Sequence, residues 1–206
     1  MAEIVDNVEA KTPIKTTKKR SVDTWKKKKW FAIISPKLFG EKQIEETIAE
    51  KPELLINRIV SPTVRELGGN PKKSFYNLDF KVFEVQGLKG NTKLAGHQLK
   101  GSYLKRLIRR RASKIELTQF VSTKEGAKVK VKTIVLTERK ATRIQRTAIR
   151  KAVEDIVEKD AKKYEAEKFI YELVFGDIEH RINKAIKNII LIKKIEVVQS
   201  KAIEGK

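Results

Sequence analysis

From Ala127 to Thr137 the chain alternates in a way that only an extended strand satisfies. Val129, Val131, Thr133 and Val135 fall on one side of that strand; Lys128, Lys130 and Lys132 fall on the other. Lys114 to Thr123 reads as its partner, and Glu125-Gly126 between them places a glycine at the turn of a hairpin. A hairpin of this kind has a valine face that must be covered and a lysine face that stays in water, and the rest of the chain has to provide the cover.

More strands are legible upstream. Trp30 to Ser35 is apolar and partly β-branched, and Pro36 ends it. Trp30 is expected to pack on the sheet, whereas Trp25 remains a candidate for stacking on a base. Tyr76, Leu78, Phe80 and Val82 alternate with Asn77, Asp79, Lys81 and Phe83, and Thr92 to Leu99 returns beside them after the glycine-rich turn Gly87 to Asn91. Arg58 to Val60 is a further extended piece, and Gly68-Gly69-Asn70-Pro71 is strong turn chemistry. Between these, Glu41 to Glu50 reads as a weak helix because Ile44 and Ile48 stand at i,i+4, and Pro52 suits the first turn of a short helix to Ile56.

The helical segments lie mostly in the second half: 102–111, 141–163, Ala166 to Phe175, and one capped by Asp177 that runs to Lys187 with Ile178, Ile182, Ala185 and Ile186 inward. A last strand spans Ile189 to Val198, and the chain is expected to fray from Gln199 to Lys206. The expected class is α+β: an antiparallel β-barrel-like core of about seven strands with flanking α-helices. Residues 1–24 form a disordered basic arm, 25–200 a single α+β domain, and 201–206 a tail.

Charge decides the class of partner. Lys and Arg number 47 against 26 Asp and Glu, a formal net charge of +21. That is the electrostatic footprint of a polyanion binder. Nine Lys and Arg lie between Lys11 and Lys29, ending in the run Lys26, Lys27, Lys28 and Lys29. On helix 102–111, Lys105, Arg106, Arg109 and Arg110, with Arg111 after them, face away from Tyr103, Leu104, Leu107 and Ile108. On the next helix, Arg139, Arg143, Arg146 and Arg150 lie within about 60° of one another on a helical wheel. Ala141, Ile144, Ala148, Ala152 and Ile156 take the opposite side. Like charges at i,i+4 destabilise an isolated helix, and the planar guanidinium fork suits phosphate. Arg143, Arg146 and Arg150, with Arg139 at the margin, are therefore expected to form an exposed row on the phosphates of a polyanion, and replacing those three is expected to leave the fold intact. Ion pairs account for Glu154, Asp155 and Glu158 further along that helix.

Little in the chain suggests chemistry. With no cysteine there are no thiolate ligands, disulfides or cysteine nucleophiles. The two histidines, His97 and His180, are far apart in sequence, and neither belongs to an H-E-x-x-H pair. No P-loop or G-x-S-x-G elbow occurs. No catalytic residue, metal ligand or cofactor is assigned. The apolar runs are too short for a membrane span, and no basic amphipathic segment carries a Trp and Phe insertion face.

Three stretches carry a resemblance to a known family. They are Trp30-Phe31 followed by Ser35-Pro36-Lys37-Leu38-Phe39; Leu104 through Glu116, with its Arg109-Arg110-Arg111; and Arg143 to Lys151. With the Thr123-Lys124-Glu125-Gly126 turn, they resemble the archaeal and eukaryotic small-subunit ribosomal protein family S-three-a-e, also called eukaryotic-type S-one, over 25–200. The loop Arg65 to Asn70 and the stretch Asn188 to Leu191 depart from the family's pattern. The resemblance implies a non-enzymatic structural constituent of the small ribosomal subunit in the cytoplasm, bound to small-subunit rRNA on the platform. Platform ribosomal proteins would be its neighbours, with mRNA nearby at the exit. An RNA-modifying or RNA-processing enzyme using the same basic surface is the alternative.

Overall fold

The computed structural model describes residues 24–203, so the expected disordered arm, apart from Thr24, and the last three residues lie outside the described residues. Among these residues, a single mixed sheet of eight strands forms the body: β1 (Lys29–Ile34), β2 (Gln43–Ala49), β3 (Ile59–Val60), β4 (Tyr76–Gln86), β5 (Lys89–Leu99), β6 (Lys114–Ser122), β7 (Lys128–Thr137) and β8 (Ile192–Ile203). Four α-helices accompany it among the described residues: α1 (Gly101–Leu107), α2 (Arg143–Ala161), α3 (Ala166–Phe175) and α4 (Ile178–Ile186).

The strand order is β2-β1-β5-β8-β7-β6, with β4 paired to the other edge of β5 and β3 to β4. Strand β5 is the junction. One edge is filled by β4 along its length; the other is shared by β1, parallel at Lys89–Asn91, and β8, antiparallel at Gly96–Gln98. The expected antiparallel barrel is therefore corrected: the sheet is mixed, contains a parallel pair and does not close. Alternation reports which face a residue takes and is silent on which edge meets which. At the junction, a Cβ on Gly96 would come within 2.4 Å of the Ser200 carbonyl oxygen, so only glycine lets β8 approach β5 there.

The main core lies between the inner face of the sheet and α2, α3 and α4. Leu78, Phe80, Leu94, Ile115, Val121, Val129, Val131 and Val197 meet Ile149, Val153, Val157, Phe169, Leu173, Ile178 and Ile182. A smaller cluster, Phe31, Ile33, Ala49, Leu55, Val60 and Val82, sits beneath β1 and β2. The valine face of the hairpin is thus covered by helices, as its pattern requires.

Several local expectations change. Glu41 to Glu50 is not a helix; it is strand β2, paired with β1 from Lys29↔Ala49 to Ile34↔Gln43. Ile44 and Ile48 at i,i+4 share a face in a strand as well as in a helix, and the β1 edge decides between them. Helix 102–111 stops at Leu107: Ile108 is extended and Arg111 has φ 66°. Strand β8 continues to Ile203, past Val198, through its pairing with β7. Ala185 is exposed, and the Asp177 side chain makes no capping bond to α4.

Trp30 does not pack on the sheet. Phe31 and Ile33 turn inward and are buried, and alternation leaves Trp30 in water at 61% exposure. His97 is fully buried. Its Nε2 lies 3.0 Å from the Val197 carbonyl oxygen and its Nδ1 2.5 Å from Ser200 Oγ, a fastening between β5 and β8.

Candidate nucleic-acid interface

The basic segments are brought together by one buried clasp. Thr137 N–H donates to the Ser113 carbonyl at 3.1 Å, and Ser113 N–H donates to Thr137 Oγ1 at 3.0 Å. Ser113 Oγ accepts from Ala141 N–H at 2.9 Å, and the Thr137 hydroxyl donates to the Arg139 carbonyl at 2.6 Å. Both side chains are essentially buried. The clasp holds the loop that carries Arg109, Arg110 and Arg111 beside the segment that carries Arg139, Lys140 and Arg143. These cations are all exposed, so two stretches remote in sequence form one cationic end of the sheet. Short polar residues inside a basic run were the only sequence signal for the clasp, and sequence reasoning passed over them.

Helix α2 leaves this end through a capping box. The Thr142 hydroxyl accepts from Gln145 N–H at 3.4 Å, and Gln145 Oε1 accepts from Thr142 N–H at 3.0 Å. Its buried row is Ile149, Val153 and Val157, not the face opposite the arginines. Ile144, expected inside, is 83% exposed. Arg146 lies about 20° from both Val153 and Val157 on the wheel, which puts it at the head of the buried row. Its guanidinium turns back into the clasp, with Nε donating to the Ala141 carbonyl at 3.1 Å and Nη2 to Ser113 Oγ at 3.4 Å. The stripe therefore divides: Arg139, Arg143 and Arg150 are exposed, whereas Arg146 is half-buried and already bonded. Arginine's long apolar stem lets one residue pack inward and still present a cation at the rim.

On α1, Lys105 and Arg106 are exposed, and the Arg106 guanidinium lies 5.2 Å from the Phe75 ring centre and 5.5 Å from that of Tyr103. Those two rings stack at 4.3 Å. Past Leu107 the helical wheel no longer applies, so Arg109 to Arg111 do not continue the wet face of α1; they reach the clasp through the loop.

The lysine face of the hairpin faces outward as expected, with Lys130 and Lys132 only half-exposed. Glu116, opposite Ile134 on β7, pairs with Lys114 and stands 3.8 Å from Lys132. The hydrogen bond from Lys114 holds its carboxyl below the usual range despite the opposing effect of burial. Lys132 is thus partly neutralised within the chain, while Lys128 and Lys130 are not opposed by that carboxylate. Lys26, Lys27, Lys28 and Lys29 are exposed over the turn Thr24–Lys27 and the start of β1.

Acidic groups cluster inside the fold. Glu196, buried on β8, bonds Tyr76, accepts from Tyr103 at 3.1 Å and pairs with Lys194 at 2.8 Å; Tyr76 also lies 3.2 Å from Glu179 of α4. Burial, with Glu196 nearby, raises the Glu179 carboxyl, and burial together with both carboxylates pushes the Tyr76 hydroxyl far up. Every one of these groups is bonded to another, and together they join β4, β8, α1 and α4. Asp160 on α2 is buried and pairs with Arg181 at 2.8 Å, and Arg181 also reaches Glu172 at 3.4 Å, which ties α2, α3 and α4 together. The Glu158–Lys162 pair forms at 2.7 Å, as the charge pattern implied. Among the described residues no three or more His, Cys, Asp or Glu side chains are grouped to hold a metal ion, and no helix is long and apolar enough to cross a membrane.

An open curled sheet covered by helices on one face and studded with cations along one end and the outer face defines a class: a basic α+β protein whose surface suits an extended polyanion. Comparison with known proteins gives the particular one. The Ribosomal S3Ae family matches residues 16–205, and the chain belongs to it. Among its relatives, the small ribosomal subunit protein eS1 of Methanothermobacter thermautotrophicus is 35% identical over 190 residues, covering 92% of this chain and 97% of that one. Small ribosomal subunit proteins eS1 of Saccharolobus solfataricus and Saccharolobus islandicus are 38% and 37% identical over 182 residues, 88% of each chain.

Proposed function

We propose that this protein is a structural constituent of the small ribosomal subunit in the cytoplasm, bound to small-subunit rRNA on the platform near the mRNA exit, with other ribosomal proteins as neighbours. The observation that carries the reading is the end-to-end match to small-subunit relatives, 92% of this chain against 97% of one of them. The cationic end gathered at the Ser113–Thr137 clasp supports it, because phosphate contacts supply most of the affinity of such proteins. The rRNA-facing side chains are Lys26, Lys27, Lys28, Lys29, Lys105, Arg106, Arg109, Arg110, Arg111, Lys128, Lys130, Arg139, Arg143 and Arg150, with Lys132 and Arg146 secondary because chain groups already engage them. The protein acts by position and charge, without cofactor, metal or catalytic step.

Gradient sedimentation of lysate tests this. The protein is expected in stoichiometric amount in small subunits after a moderate-salt wash, with cross-links to rRNA from the clasp end. A free pool, with little in the subunit, would favour an RNA-processing enzyme that only visits.

A further inference from the structure

The chain contains two tryptophans, and the fold leaves both in water. Trp25 is 64% exposed and Trp30 61%. Trp25 stands in the 3-10 turn Thr24–Lys27, which the Lys28 N–H closes onto the Trp25 carbonyl at 3.1 Å. The Lys28 ammonium lies 4.5 Å from its ring centre, a cation on one side of the indole. Trp30 is fixed on β1 by the burial of Phe31 and Ile33, with Ile48 of β2 directly across from it. Lys26, Lys27, Lys28 and Lys29, all exposed, occupy the four positions between the indoles.

We propose that Trp25 and Trp30 form a stacking platform for unpaired nucleotides of the small-subunit rRNA, with Lys26 to Lys29 on the intervening phosphates. This rests on the rRNA-binding reading above and names the form of RNA that reading leaves open. Two aromatic surfaces separated by cations match a single strand, whose repeating unit is a flat base and a phosphate. A duplex keeps its base faces inside the stack and cannot meet an indole face-on. A protein partner fits less well, because four consecutive lysines would have to be desolvated and lysine is depleted from the cores of protein interfaces. Glu46, opposite Ala32, lies on the β2 side of Trp30, so the phosphates run toward Trp25. A transient mRNA would leave both indoles largely exposed to water whenever it departed, whereas rRNA would cover them permanently.

The full-length protein carries its own reporters. Trp25→Phe and Trp30→Phe each leave one indole, whose emission is followed while an unstructured oligouridine, an RNA duplex or anionic phosphatidylglycerol vesicles are added. The single strand is expected to quench both indoles, and the duplex to bind without quenching. Trp25→Ala or Trp30→Ala should weaken oligouridine binding about 5- to 150-fold while Phe retains most of it. In mRNA-free small subunits carrying Trp30→Ala, a run of unpaired rRNA bases should gain chemical reactivity. Oligouridine binding with both emissions unchanged overturns the platform and leaves the rRNA reading standing. Quenching and blue-shift by vesicles alone assigns the site to a membrane and overturns it too. Base protection that appears only on mRNA loading overturns the rRNA assignment. Failure to bind RNA of any kind overturns the broader reading itself.

Discussion

Arg146→Ala separates the structural arginine of α2 from the exposed ones. The wild-type side chain donates to the Ala141 carbonyl at 3.1 Å and, more weakly, to Ser113 Oγ at 3.4 Å, while its stem lines up with Val153 and Val157. Ser113 Oγ keeps its bond from Ala141 N–H in the variant, so the main loss is one charged hydrogen bond and some apolar packing. For a half-exposed group that amounts to about 1–2 kcal/mol, or a fall in Tm of about 2–8 °C for a chain of this size. Arg143→Ala and Arg150→Ala, at exposed positions, should stay within about 0.5 kcal/mol. RNA binding should show the reverse order. Plotted as log K against log salt, each exposed substitution should flatten the slope by about 0.7–0.9, and Arg146→Ala by less than half of that. Urea unfolding and a salt titration on one rRNA fragment measure both quantities. If Arg146→Ala left stability unchanged and flattened the slope as much as Arg143→Ala, the clasp would have no hold on Arg146 and the stripe would act as one row.

Burial holds the His97 imidazole at a pKa of about 4, against a smaller opposing effect of the Val197 carbonyl. The unfolded chain therefore binds a proton that the native state refuses: stability is fully present above about pH 6.5 and falls as pH drops toward 4, by up to about 3 kcal/mol. The difference in unfolding free energy between wild type and His97→Gln should carry that slope; a difference independent of pH between 7 and 4.5 refutes it. Asp160→Ala strands Arg181 beside a buried position and should cost about 2–3 kcal/mol in urea unfolding, less than a fully buried pair because Arg181 is partly exposed. A cost below about 0.5 kcal/mol would show that the α2–α4 tie is idle. Ile149→Ala should cost about 3 kcal/mol and Ile144→Ala less than about 0.5; equal costs would return the buried face of α2 to the side opposite the arginines.

Periodicity was enough to place most elements. The β4 and β7 strands, the hairpin turn at Gly126 and the three long helices each depend on neighbours in sequence, and each lies close to where alternation, glycine and apolar spacing put it. Net charge and the three family-like stretches likewise indicated a polyanion-binding member of a ribosomal family without reference to any contact. Tertiary structure decided what those local signals leave ambiguous. Ile44 and Ile48 suit a helix and a strand equally, and the free edge of β1 selected the strand. The α2 wheel reads as an exposed arginine arc opposite a buried alanine–isoleucine arc, but the sheet took the row of Ile149, Val153 and Val157, drawing Arg146 inward with it. Trp30 looked like core because of its size, but β1 has a single buried face and Phe31 and Ile33 fill it. Sheet closure and the meeting of the Arg109–Arg111 loop with Arg139 and Arg143 depend on edges and on a Ser113–Thr137 bond spanning 24 residues. Pairings between distant segments are selected by the energy of the assembled fold, and no stretch of the sequence carries them alone.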